Sequence, residues 1–174
     1  LVGNQNLIKK IYFPRLVIPL SKSIVGFIDY FITTLIMCFL MLYFKISPSE
    51  NILFAPFFVF MGIVSALSVG IWVSALSVRY RDFQHIVPFI VQIGLYITPI
   101  AYPAEFATRS LPKWAESIYY LNPMTGVIQG FRWSVFGGNN PSYLILVSFS
   151  IIIILFITGI MYFNKTESKI ADII

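Results

Sequence analysis

The chain has few of the residues that carry chemistry in enzymes. Of its 174 residues, 11% are charged, one is histidine and one is cysteine. Soluble domains carry roughly 25% charged residues, so the composition argues against a soluble fold. The single cysteine, Cys38, lies in an apolar stretch and excludes a disulfide within the chain. No metal-ligand spacing, nucleophile motif or phosphate-binding loop occurs, and we expect no catalytic, metal-binding or cofactor-binding residue.

Long apolar stretches are what the sequence has instead. Four of them, each with at most one acidic residue, cover residues 24–44, 52–78, 86–103 and 143–163. A helix of about 20 apolar residues crosses roughly 30 Å of hydrocarbon. The unbroken runs do not alternate as the strands of a membrane barrel do. The pattern predicts an all-α, polytopic helical membrane protein with four spans.

The basic residues predict the orientation of these spans. Four spans place both ends on one side, which then receives eight of the twelve Lys and Arg residues. By the positive-inside rule we expect both ends, including the tail 164–174, in the cytoplasm and 104–141 outside. The net charge of +5 then reflects topology, and we expect no nucleic-acid partner. The eight are Lys9, Lys10, Arg15, Lys22, Arg79, Arg81, Lys165 and Lys169, and the other four are Lys45, Arg109, Lys113 and Arg132.

Two short helices are predicted in the outer segment 104–141. Asn122 before Pro123 indicates the start of the second, and a Gly-Gly pair indicates its end about 14 residues later. At ~1.5 Å per residue this helix is too short to span. We expect the two helices to lie at the outer face or to dip into the membrane as a re-entrant pair. Gly126 and Gly130 share one face, which allows close helix contact.

Asp29 is the ionisable residue that lies well inside a predicted span, which makes it a functional candidate. Lys22 lies seven residues earlier on the same helical face. Two interpretations stay open. Asp29 is either held near the membrane interface by pairing with this base, or it lines or gates a polar path.

Two cytoplasmic segments have patterns suited to contact with a partner. Residues 6–15 form an amphipathic segment broken by Pro14. This segment either lies under the lipid headgroups or inserts into a partner. The Arg-Tyr-Arg-Asp-Phe turn at 79–83 either ends a helix and sets topology, or offers arginine donors to the carboxylates of a partner.

Aromatic residues are concentrated around the outer half of the predicted bundle. An aromatic belt at the membrane interface would account for most of them. Alternatively, some rings line a passage, because a sugar stacks its C–H face on a ring while its hydroxyls stay hydrated. The residues are Tyr96, Tyr102, Phe106, Trp114, Tyr119, Tyr120, Phe131, Trp133 and Phe136.

Four segments occur together along the chain: residues 6–15, residues 79–83, the Pro-Ile-Ala-Tyr-Pro sequence at 99–103, and Leu-Asn-Pro-Met at 121–124 followed by Arg132. In this order they resemble segments of the permease subunits of ABC-2-type polysaccharide and polyol-phosphate exporters. Those proteins export O-antigen, capsular polysaccharide or teichoic acid across the bacterial plasma membrane. The resemblance covers essentially the whole chain.

The resemblance implies six spans per subunit, a homodimer, and a separate cytoplasmic ATPase subunit that binds ATP and Mg. It places residues 1–174 as the last four spans of an ABC-2-type transmembrane domain, and the absence of an initiator Met agrees with a fragment. Segment 1–16 and the 79–83 turn would couple to the ATPase, and 104–141 would form an outer gate. The coupling residues are Leu7, Ile8, Lys9, Lys10, Ile11, Arg15, Arg79, Arg81 and Asp82; the path or gate residues are Asp29, Tyr96, Tyr102, Trp114, Tyr119, Phe131 and Arg132.

The function implied is that of a transport subunit, not an enzyme. It would export a lipid-linked polysaccharide or polyol phosphate across the bacterial inner membrane, with membrane lipid, the ATPase and a second copy as partners. An ABC-2-type exporter of drugs or lipids is the nearest alternative. From other classes, a membrane-embedded glycosyltransferase or acyltransferase and a channel or scaffold stay open. An enzyme would need an acid or histidine cluster at one interface, which lone His85 and the scattered acids do not provide.

Overall fold

The computed structural model describes residues 17–80, 82–100, 102, 113–138 and 140–173. In these ranges the chain forms six α-helices and one short 3-10 helix, and no strand. This all-helical architecture confirms the predicted fold class. The α-helices are α1 (Val17–Tyr43), α2 (Ala55–Arg79), α3 (Phe83–Ile97), α4 (Lys113–Tyr119), α5 (Pro123–Phe136) and α6 (Ile145–Ile173), and the 3-10 helix is Glu50–Phe54.

Three helical segments are long and apolar enough to cross a membrane: Ile24–Tyr43, Glu50–Ser77 and Ile145–Thr166. They match the first, second and fourth predicted spans, with bounds that differ by a few residues. Helix α6 continues past its candidate span to Ile173, within the predicted tail 164–174. The helices are those of a polytopic helical membrane protein.

The third predicted span is shorter than the apolar run suggested. Residues 86–103 are not one helix, because α3 ends at Ile97 after 15 residues. At ~1.5 Å per residue, α3 is about 22 Å long, less than the roughly 30 Å of bilayer hydrocarbon. The helix ends because Pro99 disfavours a helical backbone at Thr98, which is extended at φ −79° and ψ 136°. The prediction from hydrophobicity alone extended the span past this proline, because the apolar run continues beyond it.

The core of the bundle is the contact between α2 and α6, the most extensive between described helices. Trp72 Nε1 donates to the carbonyl of Leu155 at 3.2 Å. Ser68 Oγ donates to the Val64 carbonyl of its own helix at 2.6 Å and lies 3.5 Å from the carbonyl of Ile152. A Cβ on Gly159 would lie 3.0 Å from the Trp72 ring. Small residues and hydrogen bonds hold membrane helices together in this way, because lipid removes most of the hydrophobic drive for helix association.

The other helices differ in how firmly they join this core. Helix α5 packs against α2, α6 and the 3-10 helix, and α1 packs against α2. Helix α3 contacts α2 lightly and has no buried residue along its length. Most large apolar side chains of α1 and α3 are exposed, so both helices present apolar faces to lipid or to further membrane helices.

Candidate functional site

The candidate site is built around α5, whose ends lie where the sequence predicts them. Asn122 is the N-cap, and its Oδ1 accepts the N–H of Met124 at 3.0 Å. Pro123 occupies the first turn, where a missing N–H costs nothing. The helix ends at Phe136, and its C-cap residue Gly137 has a φ of 74°, which is readily adopted only by glycine. The predicted 14-residue helix is confirmed.

The two glycines of α5 allow it to approach α2 and α6 closely. A Cβ on Gly126 would lie 2.7 Å from the Cβ of Ser148, and a Cβ on Gly130 would overlap the ring of Phe58. Phe58 itself packs against the ring of Phe149 at 6.2 Å between centroids. The close contact predicted from the glycine spacing is confirmed, and α5 is fixed against the core of the bundle.

Polar side chains of α5 and its N-cap hold the end of α3. Asn122 Nδ2 donates to Thr98 Oγ1 at 2.9 Å. Arg132 donates from Nη1 to the carbonyl of Tyr102 at 2.9 Å and from Nη2 to the carbonyl of Ile100 at 2.6 Å. Backbone carbonyls beyond a helix end need such partners wherever water does not reach them. We call these five residues the outer junction.

Tyr102 caps the helix that it follows. Its hydroxyl donates to the carbonyls of Tyr96 at 3.0 Å and Ile97 at 3.2 Å, which lie at the end of α3 where carbonyls lack partners within the helix. The hydroxyl of Tyr119 on α4 donates to that of Tyr102 at 3.3 Å. Burial raises the pKa of Tyr119, and the hydrogen bond with Tyr102 raises it further. The Tyr119 phenol therefore stays neutral.

Helix α5 also contacts the first part of the chain. The rings of Phe131 and Tyr30 meet edge to face with centroids 6.5 Å apart, and the N–H of Ser49 donates to the carbonyl of Val135 at 2.9 Å. At ~1.5 Å per residue, Tyr30 lies about 20 Å along α1 from Tyr43, the last residue of that helix. The middle of α5 therefore contacts α1 well before the last residue of that helix.

The side chains of Tyr96 and Asp29, two further predicted path residues, do not join this cluster. The side chain of Tyr96 is 77% exposed. Asp29 is exposed on α1, and its backbone carbonyl accepts a hydrogen bond from Thr33 Oγ1 at 2.8 Å. The side chains of Trp114 and of Lys22, the predicted partner of Asp29, lie outside the described residues. The predicted path or gate residues that the structure brings together are Tyr102, Tyr119 and Arg132.

At the opposite end of the bundle, Arg79 closes α2 and contacts α6. Its Nη1 donates to the hydroxyl of Tyr162 at 3.2 Å, and its guanidinium lies 5.3 Å from the ring centroid of Tyr80. The hydrogen bond with Tyr162 raises the pKa of Arg79. Asp82 is exposed at the N-cap position of α3. The predicted coupling residues that lie outside the described residues are Leu7, Ile8, Lys9, Lys10, Ile11, Arg15 and Arg81.

Residues 3–136 match the sequence pattern of the ABC-2 type transporter family, which is more than half of the chain. The chain belongs to the ABC-2 type transporter family. Its long apolar helices agree with a membrane-embedded member of that family.

Individual relatives of this ABC-2 type transporter chain are O-antigen permeases. It is 27% identical to the O-antigen export system permease protein RfbA of Klebsiella pneumoniae over 175 residues, which are 99% of this chain and 66% of the relative. A second K. pneumoniae protein of that name is 28% identical over the same shares. RfbA of Myxococcus xanthus is 24% identical over 132 residues, 74% of this chain and 48% of the relative. The chain thus spans 66% of the length of the Klebsiella relatives.

Sequence reasoning missed several hydroxyl and amide side chains of this ABC-2 type chain. Thr98 and the Nδ2 atom of Asn122 join α3 to α5, and Ser148 Oγ on α6 donates to the carbonyl of Tyr120 at 2.8 Å. Their position in apolar stretches of the sequence could have indicated them, because polar residues in such surroundings hydrogen-bond between membrane helices. Tyr162 gave no signal, because it contacts Arg79 across 83 residues of sequence.

Proposed function

We propose that this chain is part of the membrane permease subunit of an ATP-driven exporter of a lipid-linked polysaccharide or polyol phosphate across the bacterial plasma membrane. The observation that carries the proposal is the similarity to an O-antigen export permease along 99% of the chain. The chain spans only 66% of the length of that relative. The proposal is therefore made for the longer permease of which this chain would be a part. The helices described above would supply its outer junction and one of its cytoplasmic turns.

We place ATP and Mg binding in a separate ATPase subunit and two copies of the permease in the transporter. The residues in 1–16 and the 79–83 turn would receive the motion of the ATPase. Support comes from Arg79, because its contacts with Tyr162 and Tyr80 orient a guanidinium that has further donors for a carboxylate. The α2–α6 contact would carry the motion outward, since α5 is fixed to both helices.

We propose that aromatic rings near the outer junction guide the polymer. Tyr96 is the best candidate for such a ring, because its side chain is 77% exposed and can stack on a sugar face. The ring of Phe131 is occupied by Tyr30, and the hydroxyl of Tyr102 caps α3. Asp29, which is exposed on α1, is available to a polar path or to a basic partner.

We further propose that both ends of the chain are cytoplasmic and that the outer junction faces away from the cytoplasm. The supporting observation is the distribution of basic residues, eight on the side of the chain ends and four on the other. In this orientation the Arg79 end of the bundle meets the ATPase and the α5 end forms the exit.

Deleting the gene of the full-length permease in its own cells tests the function. We expect surface polysaccharide to disappear and lipid-linked polymer to accumulate inside, with recovery on re-expression only when the ATPase partner is active. Unchanged surface polymer with lost export of drugs or lipids would indicate the other kind of ABC-2 exporter. Loss of polymer synthesis, without internal accumulation, would indicate a membrane-embedded transferase and contradict the proposal.

A further inference from the structure

Helix α3 is attached to the rest of the described chain mainly at its outer end. From Phe83 to Ile97 it has no buried residue, and its contact with α2 is slight. The two residues that follow are different: Thr98 is 7% exposed, and Pro99 is among the fully buried side chains. The outer junction begins at this point, so the attachment of α3 is concentrated where the helix ends.

Arg132 is the central contact of the outer junction. A single guanidinium donates to two backbone carbonyls, those of Ile100 and Tyr102, at 2.6 and 2.9 Å. Hydrogen bonds from a charged donor are stronger than neutral ones, and the planar fork of arginine fixes the direction of both. A lysine at this position could not hold both carbonyls with the same fixed geometry.

The partner of this contact, α5, is itself firmly held. Gly126 lies against Ser148 of α6, and Gly130 lies against the ring of Phe58 of α2. At its far end, the carbonyl of Val135 accepts the N–H of Ser49. A turn fixed to α5 is therefore fixed to the core of the bundle, whereas the first half of α3 is not.

We propose that Arg132 is a positioning residue that keeps the end of α3 attached to α5 throughout the transport cycle, so that α3 moves at its cytoplasmic half and not at its outer end. The attachment is inferred from the hydrogen bonds of the outer junction alone. The movement rests on the proposed function, because it requires a transport cycle driven by an ATPase.

The first experiment tests the attachment without ATP or polymer. The full-length permease in nanodiscs carries Thr98→Cys as a reporter, with Cys38→Ser and any other cysteine replaced, and the rate of maleimide labelling is measured. Because the parent and every variant carry this reporter, which removes the hydrogen bond to Asn122, they differ only in the contacts of Arg132. We expect slow labelling when Arg132 is present. Arg132→Gln should raise the rate about tenfold or more, the change expected for loss of one hydrogen bond to a charged group. Arg132→Lys, which keeps the charge, should give an intermediate rate.

Lys45→Gln is the matched control, because it removes an exposed cation from the loop after α1 without touching the outer junction. Its labelling rate should equal that of the Thr98→Cys parent that retains Arg132 and Lys45. The Arg132→Gln protein and its parent should be compared at the same elution volume and helix content. If their labelling rates are then equal, the positioning role is overturned, whatever the protein transports.

The second experiment tests the movement in the permease–ATPase complex. Spin labels at Ile100→Cys and Phe136→Cys report on the outer junction, and labels at Ile86→Cys and Asn164→Cys report on the cytoplasmic half; all four residues are exposed. We expect the outer distance to stay constant between the nucleotide-free and ATP-trapped states, and the inner distance to change by several ångströms. A changed outer distance, or an unchanged inner one, would overturn the proposal even if deletion of the gene abolishes export.

Discussion

The indole ring of Trp72 on α2 stacks on the phenol ring of Tyr162 on α6, with centroids 5.0 Å and planes 13° apart. The hydroxyl of the same tyrosine accepts a hydrogen bond from Arg79 Nη1 at 3.2 Å. One side chain of the last helix therefore supports both the packing of α2 and the orientation of the arginine that ends it. The two roles can be separated, since stacking needs the ring and the arginine contact needs the hydroxyl.

Tyr162→Phe should leave the thermal stability of the permease nearly unchanged and lower the amount of polymer exported per ATP hydrolysed. The ring keeps its stack on Trp72, whereas Arg79 loses the acceptor that orients it. Tyr162→Leu should lower both quantities. Tyr143→Phe, at an 81% exposed tyrosine, serves as the control. Normal coupling in the Tyr162→Phe protein would show that the hydroxyl has no part in transmitting the ATPase motion.

Gly130→Ala should destabilise the protein by roughly 1–3 kcal/mol, the usual cost of overpacking a core, because the new methyl group overlaps the ring of Phe58. Unfolding in mixed micelles measures this cost. Gly70→Ala is the control, since nothing lies within 4 Å of a Cβ at that position. Combining Gly130→Ala with Phe58→Leu should recover part of the loss. An undiminished stability of Gly130→Ala would mean that α5 does not approach α2 as closely as described.

The bounds of α5 could be predicted almost to the residue, because they depend on neighbouring residues in the sequence. Contacts between residues that are distant in the sequence could not be predicted. Asn122, Pro123 and Gly137 act within one turn of their own position, so the helix bounds could be predicted. The end of α3 was predicted too late, because hydrophobicity continues through Thr98 and Pro99 although the backbone does not stay helical. The outer junction could not be predicted, since it depends on which carbonyls the tertiary fold brings to Arg132.

Asn122 should contribute to stability through two separable contacts. Asn122→Ala removes the cap on α5, worth about 1 kcal/mol, and also the hydrogen bond to Thr98, worth roughly 0.6–2 kcal/mol between membrane helices. Asn122→Ser keeps a capping oxygen but has no Nδ2 donor to reach Thr98. We expect the serine variant to lose only the contribution of the hydrogen bond to Thr98, measured by an unfolding titration in micelles. Equal losses for Ala and Ser would show that the cap contributes nothing.

The proposed orientation predicts which cysteines react from outside intact cells. In a Cys38→Ser background, Ser47→Cys in the loop after α1 should react with an impermeant thiol reagent added to the medium. His85→Cys near the start of α3 should react only after permeabilisation. Both native side chains are exposed and lie outside the three candidate spans, so access depends on the side of the membrane and not on burial. Labelling of His85→Cys in intact cells would reverse the orientation and place the outer junction in the cytoplasm.

Tyr96 and Tyr102 should respond differently to the same pair of substitutions. At Tyr96, whose ring is exposed, we expect Phe to preserve export and Leu to lower it roughly 2- to 10-fold, because only Leu loses the flat face worth ~0.5–1.5 kcal/mol in stacking. At Tyr102 the hydroxyl caps α3, so Phe and Leu should each cost about 1 kcal/mol of stability and reduce export alike.

The ratio of export by the Phe variant to export by the Leu variant distinguishes these roles, because errors in expression cancel when both proteins are compared at matched membrane levels. Surface polysaccharide per permease is the quantity to measure. A ratio well above one at Tyr96 and near one at Tyr102 is the expected result. A ratio near one at both positions would mean that Tyr96 belongs to the interfacial belt, since belt residues tolerate exchange for Leu, and the ring-lined path would have to be sought elsewhere. A high ratio at Tyr102 would instead show that its ring meets the polymer in spite of the capping hydroxyl.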